Sequence, residues 1–191
     1  MKPLILASAS PRRKALLAQI LAEFEVQAAD IDETPNADEH PGDYVLRMAR
    51  EKAQAIQAPR VLASDTTVVS GELILGKPAD EGAARAMLTR LSDSWHSVFS
   101  AVYLRCDGVS FQDIAETRVK FTPLSEAQIS AYLATDEPWD KAGGYAIQGL
   151  AGVFVERIEG SYSNVVGLPL AQTNSLLNAA GIATRLSGGT A

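Results

Sequence analysis

Three observations in the sequence predict an α/β fold. A short apolar run, Leu4-Ile5-Leu6, enters a turn and then a capped helix. The stretch 61 to 69 reads as a strand that folds back through Ser70-Gly71-Glu72 onto Leu73-Ile74-Leu75. Two long alternating segments, 95 to 106 and 109 to 121, meet at Asp107-Gly108. Strands and helices thus share most of the chain, as layered α/β architectures require.

Composition narrows the functions such a fold can carry. The 191 residues are 47% apolar and 21% charged, as in an ordinary globular protein, and the net charge of −6 argues against an extended grip on nucleic acid. Cys106 is the one cysteine and cannot form an internal disulfide, so it reads as a small core residue of a protein in a reducing compartment. No segment approaches the ~20 apolar residues that span a membrane, and the first apolar run is too short for a signal peptide. The expectation is a cytoplasmic protein with no membrane or nucleic-acid partner. No internal repeat or linker divides residues 1–191, which read as one domain.

The first helix is built on Ser8-Ala9-Ser10-Pro11-Arg12-Arg13. Ser10 is a good N-cap and Pro11 suits the first helical position, where its missing N–H is no loss. Ala15, Leu16 and Ile20, with Leu17 beside them, recur at helical spacing. Arg12 and Arg13 put two cations against the positive end of the helix dipole. A bound phosphate or carboxylate would remove that conflict; two solvated arginines are the plainer alternative. Residues 24 to 26 form a brief strand, followed by an acidic stretch containing Asp30, Asp32 and Glu33. These carboxylates can hold a hard cation, although such a run is more often a solvated loop. His40 has no second histidine near it and is a poor metal ligand.

From Pro41 to about residue 58 the sequence is helical, with the apolar stripe Val45, Met48, Ala49, Ala53 and Ile56. Lys52 shares that stripe. It either snorkels to the edge or aims its charge into a cleft. Asp65 is a similar misfit in the centre of its strand, costly there unless paired, hydrogen-bonded or metal-bound. A hairpin turning about Gly71 would set Asp65 opposite Lys77, either as a structural ion pair or as a catalytic carboxylate beside a cation. The stretch from Gly71 to Pro78 nearly spells a Walker A loop. However, Pro78 stands where that motif needs Ser or Thr, and the intervening residues are strand-like.

Asp80 caps a helix to about residue 91 that carries Ala83, Ala84, Met87 and Leu88. Ser125 and Gln128 form a capping box before Ile129, Tyr132 and Leu133. The loop 136 to 149 mixes turn residues with Trp139, Lys141 and Gln148, and Gln148 can present an amide to a base edge. Residues 153 to 158 resume the sheet, Glu159-Gly160-Ser161 turns, and a last helix spans about 168 to 179 before a Gly-rich end.

Together these segments resemble the Maf family of nucleoside triphosphate pyrophosphatases over nearly the whole chain. The anchors are Ser8-Ala9-Ser10-Pro11-Arg12-Arg13, Ser64-Asp65-Thr66-Thr67, Gly76-Lys77-Pro78, the stretch from Asp136-Glu137-Pro138 to Gln148-Gly149, and Val166-Gly167-Leu168-Pro169. The resemblance implies a Maf/ITPase-like α/β fold with a long, curved, mixed β-sheet, flanking helices and two lobes around a central cleft. It implies hydrolysis of a nucleoside triphosphate to monophosphate and pyrophosphate, assisted by a divalent cation (magnesium, manganese or cobalt). Asp65 would be proton acceptor or metal ligand, with Glu33 also at the metal. Lys52 and Lys77 would stabilise phosphate charge, and Ser8, Ser10, Arg12 and Arg13 would hold the triphosphate. The stretch Tyr145-Ala146-Ile147-Gln148-Gly149 resembles the branch acting on dTTP and UTP, with Gln148, Arg12 and Thr66 at specificity positions. Ser64 departs from the alanine or glycine usual before the aspartate, and its hydroxyl can tune Asp65. A homodimer is implied by analogy. The rival readings are a Maf-type enzyme for modified purine triphosphates such as 7-methyl-GTP and a non-catalytic nucleotide-binding regulator of cell division.

Overall fold

A computed structural model describes residues 3–187. In chain order the elements are β1 (Ile5–Leu6), α1 (Pro11–Ile20), β2 (Glu25–Val26), α2 (Pro41–Ala55), β3 (Arg60–Ser70), β4 (Leu73–Leu75) and α3 (Glu81–Leu91). There follow β5 (Trp95–Cys106), β6 (Val109–Phe121), α4 (Glu126–Leu133), β7 (Val155–Glu159), α5 (Tyr162–Val166) and α6 (Leu170–Ala179). The seven strands form one sheet in the order β2-β1-β3-β5-β6-β7, with β4 on β3. It is mixed: β1 runs parallel to β2 and β3, whereas β3–β4 and β6–β7 are antiparallel. The predicted α/β class and its helices are therefore present. Among the described residues no helix is long and apolar enough to cross a membrane.

The chain packs as two compact units. Among the described residues the first comprises 3–65, 100–115 and 167–187, and the second 66–99 and 116–166. In the first, α1 packs on α6. Leu6, Leu17, Val45, Met48, Ala49, Ala53, Leu62, Leu104 and Leu177 are completely buried. The stripe expected on α2 is thus its core face, because residues three and four apart fall on one side of a helix. On α1 Leu16, Leu17 and Ile20 are buried, whereas Ala15, expected with them, is exposed. The second unit has its own core, in which Leu88, Leu91, Val119 and Phe121 are completely buried and Tyr132, Tyr145 and Phe154 nearly so. His96 lies there against the edges of Phe121 and Tyr145, its Nε2 2.8 Å from Tyr145 Oη. Burial lowers its pKa to about 4, so the ring stays neutral at physiological pH.

Local chemistry explains where the boundaries fall. The β5–β6 hairpin turns at Asp107 and Gly108, whose φ values of 50° and 91° match the mirror-image turn that fits strand twist. Helix α2 ends at Ala55, three residues earlier than expected. Pro59 disfavours helix in the residue before it, and Arg105 Nη2 takes up the carbonyls of Ile56 and Ala58. Residues 153 and 154 lie in a 3₁₀ turn, Leu150–Phe154, so β7 begins at Val155. Helix α6 starts at Leu170 because Pro169 is its N-cap. The five-residue α5 has no counterpart in the sequence reading. The Gly-rich end at Gly188 and Gly189 lies outside the described residues.

Candidate active site

The first unit brings most of the expected site residues together. Ser10 caps α1, its Oγ accepting from the Arg13 N–H at 3.3 Å, and Ser8 Oγ in turn accepts from the Ser10 N–H at 3.1 Å. The two hydroxyls therefore order the turn entering the helix. Arg13 is folded back into this turn. Its Nε donates to the carbonyl of Gly167 at 2.9 Å, and its Nη1 lies 3.5 Å from Ser8 Oγ. Burial lowers the Arg13 pKa and the neighbouring Arg12 adds to the effect, while Asp65 and Glu33 oppose it. A partly desolvated guanidinium beside a helix N-terminus is well placed for a multivalent anion.

Lys52 is the centre of the charged cluster. It projects from the last turn of α2 with the apolar stripe, and its Nζ lies 2.6 Å from Asp65 Oδ1 and 2.6 Å from Glu33 Oε1. The two arms of this bridge differ. Lys52 and Asp65 side chains are each only 9% exposed, whereas Glu33 is 41% exposed. Helix α2 also fixes the Glu33 segment, since Tyr44 Oη donates to the Glu33 carbonyl at 2.8 Å. Burial, then the charges of Asp65 and Glu33, push the Tyr44 hydroxyl pKa up and keep it a donor. Lys52 and Arg13 both lie within the field of Asp65 and Glu33, and Arg12 lies close enough to Arg13 to act on its charge.

Glu33 and Asp65 supply hard oxygen donors. A magnesium-like cation commonly takes one or two protein carboxylates and completes its shell from phosphates and water. The pair fits that chemistry. Among the described residues no group of three or more His, Cys, Asp or Glu side chains gathers to hold a metal. Asp30 and Asp32 are exposed, and Asp32 Oδ1 instead receives the Thr34 N–H at 2.9 Å. His40 is the N-cap of α2, its Nδ1 accepting from the Gly42 N–H.

Two expectations are corrected. The β3–β4 register pairs Val68 with Leu75, Val69 with Ile74 and Ser70 with Leu73. The turn therefore holds Gly71 and Glu72, and the register carried onward would set Lys77 against Thr66, not Asp65. A two-residue turn shifts the pairing by one residue from a turn centred on Gly71. Nor is the Ser64 hydroxyl directed at Asp65: it is buried and donates to the Gly167 carbonyl at 3.1 Å. Neighbouring residues of a strand face opposite ways, and Gly167 thereby joins Ser64 and Arg13. The sequence points to no role for Tyr44, and to Gly167 only as part of the stretch Val166-Gly167-Leu168-Pro169. Tyr44 was findable, because it precedes Met48 and Lys52 at four-residue intervals; nothing marks a backbone carbonyl in advance.

Thr66, Lys77 and Gln148 belong to the second unit. Thr66 follows Asp65 directly on β3 and is half-buried; Lys77 and Gln148 are exposed. The Lys77 segment is tied to the loop that leads to Gln148, because the Gly143 N–H donates to the Gly76 carbonyl at 3.0 Å. Gln148 sits within a turn closed by the Gly149 N–H on the Ala146 carbonyl at 3.0 Å.

Comparison with known proteins adds identity to this geometry. The family model described as Maf-like protein matches residues 3–180. A relative from Anaeromyxobacter dehalogenans (strain 2CP-1), named dTTP/UTP pyrophosphatase, is 52% identical over 182 residues, covering 93% of this chain and 94% of its own. A relative of the same name from Shewanella sp. (strain MR-7) is 54% identical over 192 residues, covering 94% of this chain and 98% of its own. Among solved structures, a HAM1 protein from Coxiella burnetii is 17% identical with a TM-score of 0.41, covering 63% of this chain and 73% of that one.

Proposed function

The chain belongs to the Maf family, and from that premise we propose that it hydrolyses dTTP and UTP to the monophosphate and pyrophosphate, water attacking the α-phosphorus. The observation that carries the chemistry is Lys52 held between Asp65 and Glu33 at 2.6 Å from each. The substrates follow from the two relatives named dTTP/UTP pyrophosphatase, which share about half of their residues with this chain over almost its full length.

In this reading Arg12, Arg13, Ser8 and Ser10 hold the triphosphate at the N-terminus of α1, where side-chain and dipole charge both favour an anion. Asp65 takes the proton of the attacking water, and Lys52 keeps its carboxylate in place. Lys52 and Lys77 then stabilise negative charge that grows on the phosphate oxygens. Glu33 and Asp65 would hold a divalent cation, which when bound supplies positive charge to the triphosphate and acidifies water. Gln148 both donates and accepts, matching the carbonyl and imide N–H of thymine or uracil, and Thr66 assists selection. Cytoplasmic location and a homodimer belong to the same reading.

A panel of nucleoside triphosphates assayed for pyrophosphate release with magnesium or manganese tests this function. dTTP and UTP should be turned over with pyrophosphate as first product. Inert dTTP and UTP beside rapid turnover of a methylated purine triphosphate would overturn the substrate assignment, and phosphate as first product would overturn the reaction.

A further inference from the structure

Glu137 receives three donors on one carboxylate, an unusual concentration for a loop residue that the proposed chemistry does not use. Its Oε2 accepts from the Leu150 N–H at 2.7 Å. Its Oε1 accepts from the Ala151 N–H at 3.1 Å and from Tyr132 Oη at 3.0 Å. The two backbone donors open the 3₁₀ turn Leu150–Phe154, whose first N–H groups have no partner within the turn. Tyr132 anchors the carboxylate to α4 and to the buried core of the second unit. Gly149 is what lets it come so close: a Cβ there would collide with the Glu137 carboxylate. Burial works against ionisation, but the Ala151 and Leu150 N–H groups and the Tyr132 hydroxyl outweigh it and hold the carboxyl below its usual range.

Gln148 lies immediately before this grip. The segment is bound on both sides, by Glu137 after Gln148 and by Tyr145 before it, the latter buried against His96. We propose that Glu137 is a positioning residue for base selection: its carboxylate fixes the turn that carries Gln148. This rests on the reading of Gln148 as the group that meets the base. The physical need is specific. Thymine and uracil offer a carbonyl and an imide N–H, whereas cytosine offers an amino group and a ring nitrogen acceptor. A glutamine amide turned over matches the second pattern as well as the first. A mobile backbone would let the amide reach the base edge from many positions and in either orientation, whereas a fixed backbone restricts that reach, and the preference between the two patterns reads the restriction.

The test is a double-substitution cycle with Glu137→Gln and Gln148→Ala, reading kcat/KM for dTTP and dCTP. Glu137→Gln keeps the size of the side chain but sets an amide N–H group against donors. It should lower kcat/KM for dTTP about tenfold and move the dTTP:dCTP ratio toward that of Gln148→Ala. In the Gln148→Ala background it should then cost less than about twofold. Gly149→Ala, which displaces the carboxylate with Glu137 intact, should erode the same ratio and serves if Glu137→Gln fails to fold. An unchanged ratio in Glu137→Gln and Gly149→Ala, or additive losses, would overturn the positioning role while leaving Gln148 in place. An unchanged ratio in Gln148→Ala would overturn the base reading itself, and this inference with it.

Discussion

Asp65→Asn lowers kcat for dTTP by about a thousandfold or more, the upper part of the range for losing a general base, while nucleotide affinity stays within a few-fold. The amide keeps the size of the side chain but accepts no proton at neutral pH. The groups proposed to hold the triphosphate, Ser8, Ser10, Arg12 and Arg13, lie on α1 and the turn before it, not on β3, so they survive the substitution, and titration without metal reads them apart from the cation that Glu33 and Asp65 would hold. Steady-state kinetics together with direct titration of a non-hydrolysable nucleotide separate the two quantities. Near-wild-type turnover would remove Asp65 from its role.

Lys52→Met combines a catalytic loss with a structural one. Its Nζ is the shared partner of two carboxylates, and the Asp65 arm is buried. Removing one member of a buried pair leaves an uncompensated charge, which costs about 3 kcal/mol. The exposed Glu33 arm contributes little to that cost, as surface ion pairs are worth ~0–1 kcal/mol. Turnover should fall about a hundredfold with the loss of charge stabilisation. The pair Lys52→Met with Asp65→Asn should be more stable than Lys52→Met alone, because the stranded carboxylate is gone, yet no more active. Urea unfolding of the three variants measures this coupling. Strictly additive stabilities would contradict the pairing.

Much of this site was legible because charge in an apolar context is informative. Lys52 breaks a helical stripe and Asp65 breaks a strand, and each position was identifiable alone. Their pairing was not. The nearest cation in the folded-back hairpin was Lys77, and a single residue of turn length decides that register. The true partner comes from α2, and periodicity says nothing about which helix will cover a strand. Glu33 illustrates the converse: as one of several acidic residues in a loop it looked solvated, and Tyr44 and Lys52 on the facing helix distinguish it from Asp30 and Asp32. The fold's regular elements followed from caps and turns, such as Ser10, Asp80, Ser125 and Asp107-Gly108. The short α5 carries no such signal. Gly167 and Glu137 act through a backbone carbonyl and through backbone N–H groups, contacts that side-chain pattern does not encode.

In the proposed reaction water attacks the α-phosphorus of a pyrimidine triphosphate at the Asp65–Lys52–Glu33 cluster. Single-turnover hydrolysis of dTTP in ¹⁸O-labelled water, with both products analysed by mass spectrometry, tests it most directly. Attack at the α-phosphorus puts the label in dTMP and leaves pyrophosphate unlabelled, with no such product from Asp65→Asn on the same timescale. Label in pyrophosphate, or in inorganic phosphate released in its place, would contradict it.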